Sequence, residues 1–445
     1  MSRRELTRPE DGLAYRLLRR VIAVEPEEAP LLLWCWLFIF SVMSSYSVMR
    51  PIRDQAGVAG GVRNLPWLFT GTLVGMVLVN IPFAWMVKKL PRSRFIPLTY
   101  HFFAFNIVLF AVALHLAGSA QAIWVGRVFF IWVSVFNLFV VSVFWQMNVD
   151  LFTAEQGKRL FGFIAAGAEI GALAGAAMPA GLAEYVPAPI LLLVSAALLE
   201  IAVFSVGRLS RLAPSLHRRP AATEERPIGG GVIGGISHAL RSPYLLNVCV
   251  FMLLYSLTST FLYFLQVRIA AHAFTGAGER IAFFARISLA ADFLTLLIQL
   301  FLTGRLLPAL GVAVALVLLP ALTIAGFGML ALFPTLAAIV GFQIVRSAAN
   351  YAIARPTREV LFTVVTREDR FKAKSFIDTV VYRTGDQLGI WSSALLNALG
   401  WAASAIPLVA IALSVVWCGN SLWLGRRQRV LEAEAEAISI SRERA

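Results

Sequence analysis

Charge is scarce in this chain: Asp, Glu, Lys and Arg make up 14% of its 445 residues, while 59% are hydrophobic. A soluble domain carries about 25% charged residues, so this composition cannot clothe a water-exposed globule of such length. Cysteine is scarcer still. Cys35, Cys249 and Cys418 fall in three separate apolar runs with no second cysteine at a redox or metal spacing, which excludes a disulfide framework and a cysteine zinc site. Histidine is equally thin, and His101 and His115 have no ligand partner at metal spacing, so no metal and no cofactor is expected. The run "GGGVIGG" lacks the Lys-Ser/Thr ending of a phosphate-binding loop. No catalytic constellation stands out, which argues against an enzyme.

What the chain does have is hydrophobic length. Mean hydropathy is +0.76. A bilayer core of roughly 30 Å takes about 20 apolar residues per helix. Twelve such runs are present, near 31 to 49, 66 to 87, 95 to 117, 122 to 147, 160 to 183, 188 to 207, 243 to 265, 281 to 303, 309 to 331, 332 to 354, 375 to 398 and 403 to 424. With the N-terminus placed in the cytoplasm, the inner loops and tails hold 30 of the 39 Lys and Arg. The outer loops then hold Arg50, Arg53, Arg63, Arg268 and Arg280, and Arg127, Arg286, Arg346 and Arg383 fall within spans. That asymmetry predicts both termini inside, and it assigns the net charge of +14 to membrane topology rather than to nucleic acid.

The longest polar break, 208–242, divides the chain in two. The predicted organisation is a cytoplasmic segment 1–30 with an interfacial amphipathic helix at Asp11 to Val24, a six-helix bundle 31–207, a cytoplasmic loop 208–242, a second six-helix bundle 243–424 and a cytoplasmic tail 425–445. The halves echo each other. Matching Leu151-Phe152-Thr153 to Leu361-Phe362-Thr363, with four extra residues in the second half, pairs Lys158 with Lys372, Gly171 with Gly385 and Gly175 with Gly389, and sets Glu169 opposite Arg383. Glycines 167, 171 and 175 have the small-xxx-small spacing of close helix packing. Twelve spans, a long central loop and an internal repeat predict an all-α polytopic membrane protein of the major facilitator fold, whose two bundles alternate access to a central site.

Charge inside the membrane costs roughly 2.5 to 3.5 kcal/mol per residue at the centre, so each instance is a functional candidate. Glu169, Asp292 and Arg346 qualify, with Asp378, Tyr382, Arg383 and Asp386 in span eleven; Glu200 is either helix–helix glue or a coupling residue. Asp378, Tyr382 and Asp386 follow at i, i+4 and i+8 on one helical face, and Arg383 reaches Asp386 at i+3. Arg383 either neutralises Asp386 or pairs with Glu169. Glu169 and Asp292 are candidates for proton coupling. At the end of span one, Arg50, Arg53 and Asp54 flank Pro51, which is expected to break the helix and present the guanidinium groups to an anion.

These stretches resemble a known family. Arg50-Pro51-Ile52-Arg53-Asp54 is similar to the Arg-Pro-Leu-Lys/Arg-Asp of the nucleotide (ATP/ADP) translocases of intracellular bacteria and plastids, a branch of the major facilitator superfamily. Lys372-Ala373-Lys374-Ser375-Phe376-Ile377-Asp378, followed by Arg383-Thr384-Gly385, looks like that family's Lys-Gly-Lys-x-x-Ile-Asp and Arg-x-Gly. The resemblance implies exchange of nucleotides across a membrane, with phosphates held at Arg53 and Arg383 and Asp378 shaping the presenting helix. One departure bears on the cargo: Asp386 stands where the family carries a lysine after the glycine, which lowers the positive potential offered to a polyphosphate. The expected partners are therefore a small-molecule substrate, a nucleotide or another anion, and the lipid bilayer, in a cell's inner membrane. Two alternatives remain open from the residues: a proton-coupled transporter of another solute, and a non-transporting or lipid-handling membrane protein.

Overall fold

The computed structural model describes residues 24–26, 28–89, 92–152, 154–212, 242–365, 373–374, 376–400 and 405–444. The expected amphipathic helix before Val24, most of the central loop and Lys372 lie outside the described residues. In chain order the helices are α1 (Ala29–Ala59), α2 (Leu65–Lys89), α3 (Arg92–Leu116), α4 (Ser119–Leu151), α5 (Ala154–Leu182) and α6 (Ala188–Leu212). After the central break come α7 (Pro243–Ala273), α8 (Ala277–Ile298), α9 (Gly304–Leu332), α10 (Leu336–Leu361), α11 (Ile377–Val381 continuing as Tyr382–Ala398) and α12 (Ala405–Arg444). Among the described residues, eleven helices are long and apolar enough to cross a membrane. The exception is α11, whose first part carries Asp378, Arg383 and Asp386.

One expectation needs correction. Pro51 does not break α1, which runs unbroken for 31 residues with the proline inside it. A proline removes one backbone bond, and in a long apolar helix the remaining ladder and the packed neighbours hold the axis. The segment expected as a tail after residue 424 continues as helix to Arg444. Its Leu431-Glu432-Ala433-Glu434-Ala435-Glu436-Ala437 run is made of strong helix formers, and Gln428 donates to Glu432 one turn on, at 3.1 Å.

The described residues fall into two compact units, one drawn from Met1–Arg53, Gly75–Val125 and Trp132–Glu224, the other from Asp54–Val74, Gly126–Ile131 and Glu225–Ala445. The C-terminal end of α1, the start of α2 and one and a half turns of α4 thus group with α7–α12 rather than with their own half of the sequence.

In the first unit α1 is the central strut. Phe38 meets Tyr100 of α3 and Phe144 of α4 edge-on, with ring centroids 5.2 and 5.1 Å apart. Hydroxyls close the contacts that apolar packing leaves: Ser45 lies 2.8 Å from Ser195 of α6, and Tyr100 donates to the Val140 carbonyl at 2.7 Å. Against α5 the approach is backbone to backbone. A Cβ on Gly171 would sit 2.4 Å from the Phe40 carbonyl oxygen and one on Gly175 would sit 2.3 Å from that of Ser44, while Ser44 Oγ donates to the Gly171 carbonyl at 2.9 Å. Glu200 of α6 lies 3.0 Å from His101 of α3, a contact that joins the two helices.

At the foot of α1, Glu28 is 1% exposed and accepts from Gln156 at 2.8 Å and from Arg159 of α5 at 2.9 Å. Glu28→Ala leaves Arg159, whose side chain is 34% exposed, in reach of solvent, so the expected cost is that of a lost charge-assisted hydrogen bond, about 1.5 to 3 kcal/mol. Glu28→Ala is therefore expected to lower the melting temperature of the detergent-solubilised protein measurably; an unchanged transition would show that this cluster contributes no net stability.

The second unit repeats the first. There α11 packs on α7 through Gly385 and Gly389, where added Cβ atoms would both lie 2.9 Å from carbonyl oxygens, of Leu253 and Leu257 respectively. These are the partners of Gly171 and Gly175 in the repeat, and both pairs serve the same joint. Likewise α3 packs on α6 and α9 on α12. Among the described residues, the π-helical turns are in the second unit: Gln299–Thr303 after α8, Asn350–Ala354 within α10 and Ile377–Val381 opening α11. Thr303 Oγ1 links two of them by donating to the Ala352 carbonyl at 2.9 Å. Gly311 takes φ +72° near the start of α9, a conformation that costs glycine little and other residues more.

Candidate functional site

The polar interior of the second unit is assembled on one stretch of α7, Tyr255-Ser256-Leu257-Thr258-Ser259-Thr260. In an apolar helix, Ser and Thr satisfy themselves by donating to the carbonyl a turn back; Thr258 does so, to Leu254 at 2.8 Å, while the single Thr260 hydroxyl proton is shared between the Ser256 carbonyl at 3.0 Å and the Asp386 carboxylate at 3.2 Å. Their oxygens still have lone pairs, which makes this face of α7 a row of acceptors for arginine.

Arg346 of α10 uses that row. It is 4% exposed and donates to Thr258 Oγ1 at 3.0 Å, Ser259 Oγ at 3.0 Å, the Tyr255 carbonyl at 3.3 Å and Thr323 Oγ1 of α9 at 3.2 Å. Its guanidinium also lies 5.4 Å from the Tyr255 ring centroid. All of these groups are neutral, so the positive charge is held in place without being cancelled.

Asp386 of α11 is its counterpart on the next turn of α7. It is 5% exposed; Ser256 Oγ lies 2.6 Å and Thr260 Oγ1 3.2 Å from Oδ1, and Arg383 Nη1 donates to Oδ2 at 3.0 Å. Of the two partners expected for Arg383, Asp386 is the one it is bonded to. The Arg383 guanidinium stands 5.4 Å over the Tyr382 ring, and Tyr382 lies 6.2 Å from Tyr255. Two arginines, each against a tyrosine, and one carboxylate therefore form a continuous cluster between α7, α10 and α11, with a net charge of about +1 at their ordinary ionisation states.

The remaining candidates are placed elsewhere. Asp378, in the π turn, is paired with Arg358 of α10 at 3.3 Å, and Arg358 also reaches the Met252 sulfur at 2.9 Å, one helical turn along α7 from Ser256. Arg50 and Arg53 belong to the first unit, and Asp54, 6% exposed, accepts from Tyr263 of α7 at 3.1 Å within the second. Glu169 and Asp292 are half-buried in α5 and α8. Among the described residues no group of three or more His, Cys, Asp or Glu is placed to hold a metal.

Tyr255, Ser256, Thr258, Ser259, Thr260, Thr323 and Arg358 were not singled out from sequence. The hydroxyl-dense "YSLTST" in the middle of an apolar span was the signal, since helix packing alone does not need so many hydroxyls on consecutive turns.

No protein-family model matches the chain. Among curated proteins it is similar to ADP,ATP carrier protein 1 of Chlamydia muridarum, 22% identical over 90% of this chain and 91% of that one, and to ADP,ATP carrier protein 2 of Chlamydia pneumoniae, 21% identical over 90% and 89%. Among solved structures it superposes on a mutant of the nucleoside transporter NupG with a TM-score of 0.60 at 14% identity, covering 88% of this chain and 99% of that one. The fucose:proton symporter FucP of E. coli gives 0.52 at 17%, covering 89% and 99%. A bacterial homologue of the iron transporter ferroportin gives 0.60 at 13%, covering 88% and 98%. The fold is that of the major facilitator transporters, and the curated relatives are carriers rather than enzymes.

Proposed function

We propose that this membrane transporter exchanges nucleotides, adenine nucleotides first among them, by alternating access and without hydrolysing them. The observation that carries the reading is the Arg346–Arg383 cluster, in a chain similar over 90% of its length to an ADP,ATP carrier. Arginine forks match phosphate oxygens, and the two adjacent tyrosines offer rings for a base. In this reading Arg383 contacts the substrate phosphate, Arg346 supplies fixed positive potential, and Arg53 is a further anion contact. On the same reading both termini and the 208–242 segment that links the two bundles in sequence are cytoplasmic, and the membrane is the cell's inner one.

The test is uptake of labelled ATP and ADP into proteoliposomes, with and without ADP inside. Uptake that requires internal nucleotide and survives collapse of the pH gradient is expected. Loss of uptake on collapsing that gradient would favour the proton-coupled reading, for which half-buried Glu169 and Asp292 are the carboxylates to replace. No nucleotide uptake under any condition would discard the nucleotide reading.

A further inference from the structure

The Arg383–Asp386 pair is unequal. The acid is the anchored member: its side chain is 8% exposed and it is held from α7 by Ser256 and Thr260, whereas the Arg383 side chain retains 32% of its exposure. Nor can the acid retreat easily, since Gly385 beside it packs so closely on α7 that a Cβ there would lie 2.7 Å from that of Ser256. Arg346, by contrast with Arg383, is buried and already committed to four oxygens. An incoming anion therefore meets Arg383, and meets it with Asp386 already bound.

We infer that Asp386 is a charge selector: it competes with the transported anion for Arg383 and, when displaced, stays beside the bound anion as a fixed negative charge. The inference rests on the reading of Arg383 as an anion contact. Once the anion has taken the guanidinium, Ser256 and Thr260 still hold the carboxylate, because both come from α7 and do not move with the arginine. Repulsion from a fixed charge grows in proportion to the charge on the ligand. Displacing the acid costs the same whatever the ligand, but remaining next to it costs more for a triphosphate than for a monophosphate. Asp386 thus trims the advantage that a more highly charged phosphate would otherwise draw from the two arginines, and trims it most for a triphosphate.

The experiment measures binding of inorganic phosphate, pyrophosphate and tripolyphosphate to the purified full-length protein, wild type against Asp386→Asn, by thermal shift. Asparagine keeps the size of the side chain and an oxygen for Ser256 while removing the charge. The expected gain in affinity is graded, smallest for phosphate and about tenfold or more for tripolyphosphate. In an Arg383→Ala background Asp386→Asn is expected to give a much flatter series, as it must if the two residues act on the ligand together. A uniform gain, or none, overturns the selector. Should Asp386→Asn not yield folded protein, Ser256→Ala loosens the carboxylate without removing it; a smaller graded gain supports the inference and an ungraded response overturns it. A graded series in a protein that exchanges no nucleotide would retire the nucleotide reading and keep the selector, while nucleotide exchange with an ungraded series would do the reverse. Absence of binding by all three anions to wild type and variant would end both.

Discussion

Replacing Arg383 by alanine is expected to cut nucleotide exchange in proteoliposomes by about 10- to 150-fold, the range set by losing one charge-assisted contact of roughly 1.5 to 3 kcal/mol. The same substitution strips Asp386 of its cation and leaves a 5% exposed carboxylate held by two hydroxyls, so some of the loss could come from a damaged α7–α11 joint. The double variant Arg383→Ala/Asp386→Asn separates the two causes. It removes both charges, restores the joint and still lacks the anion contact, so stability should recover in a melting experiment while exchange does not. Arg383→Lys should fall between: it restores the charge without the planar fork. Full exchange by the double variant would mean that the pair only neutralises itself and that the anion is held elsewhere.

How far this site could be read beforehand depended on the residue type. Arg346, Arg383 and Asp386 announce themselves because a charge in an apolar span is costly, and the i, i+3 spacing of the last two allowed the bond they form, with Glu169 left open as the other partner. The hydroxyls that hold them were silent, since Ser and Thr satisfy themselves on their own helix and leave no trace in hydropathy. The π turns were equally hidden: the extra residue in each turn breaks no composition rule, and the apolar runs through α8 and α10 read as continuous. Pro51 misled for a related reason. Its local preference is to end a helix, and that preference was overruled by a span with no water to receive freed backbone groups. What the repeat supplied was more reliable, because glycine pairs matched by sequence alone turned out to occupy equivalent helix joints in both units.

Those joints set the other large expected effect. Gly175→Ala is expected to abolish recovery of folded, monodisperse protein, or to lower its stability by about 3 kcal/mol, at the upper end of ordinary overpacking costs. The new Cβ would lie 2.3 Å from the Ser44 carbonyl oxygen and 2.7 Å from its Cα, atoms of a helix backbone that cannot turn aside as a side chain can. To restore ordinary contact near 3.4 Å the helices would have to part by about 1 Å, stretching the bond from Ser44 Oγ to the Gly171 carbonyl and the contacts on either side of it. Gly181→Ala and Gly207→Ala are the controls, since nothing lies within 4 Å of either and alanine is the better helix former. The matching change in the second unit should behave differently. At Gly385 the nearest atom is the Ser256 Cβ at 2.7 Å, with the Leu253 carbonyl oxygen at 2.9 Å, so the strain is smaller and falls on the residue that anchors Asp386. Gly385→Ala is therefore expected to leave more folded protein than Gly175→Ala and to alter anion affinity where Gly181→Ala does not. Equal losses of folded protein at Gly175 and Gly385, with anion affinity unchanged in what survives, would reduce both joints to packing alone.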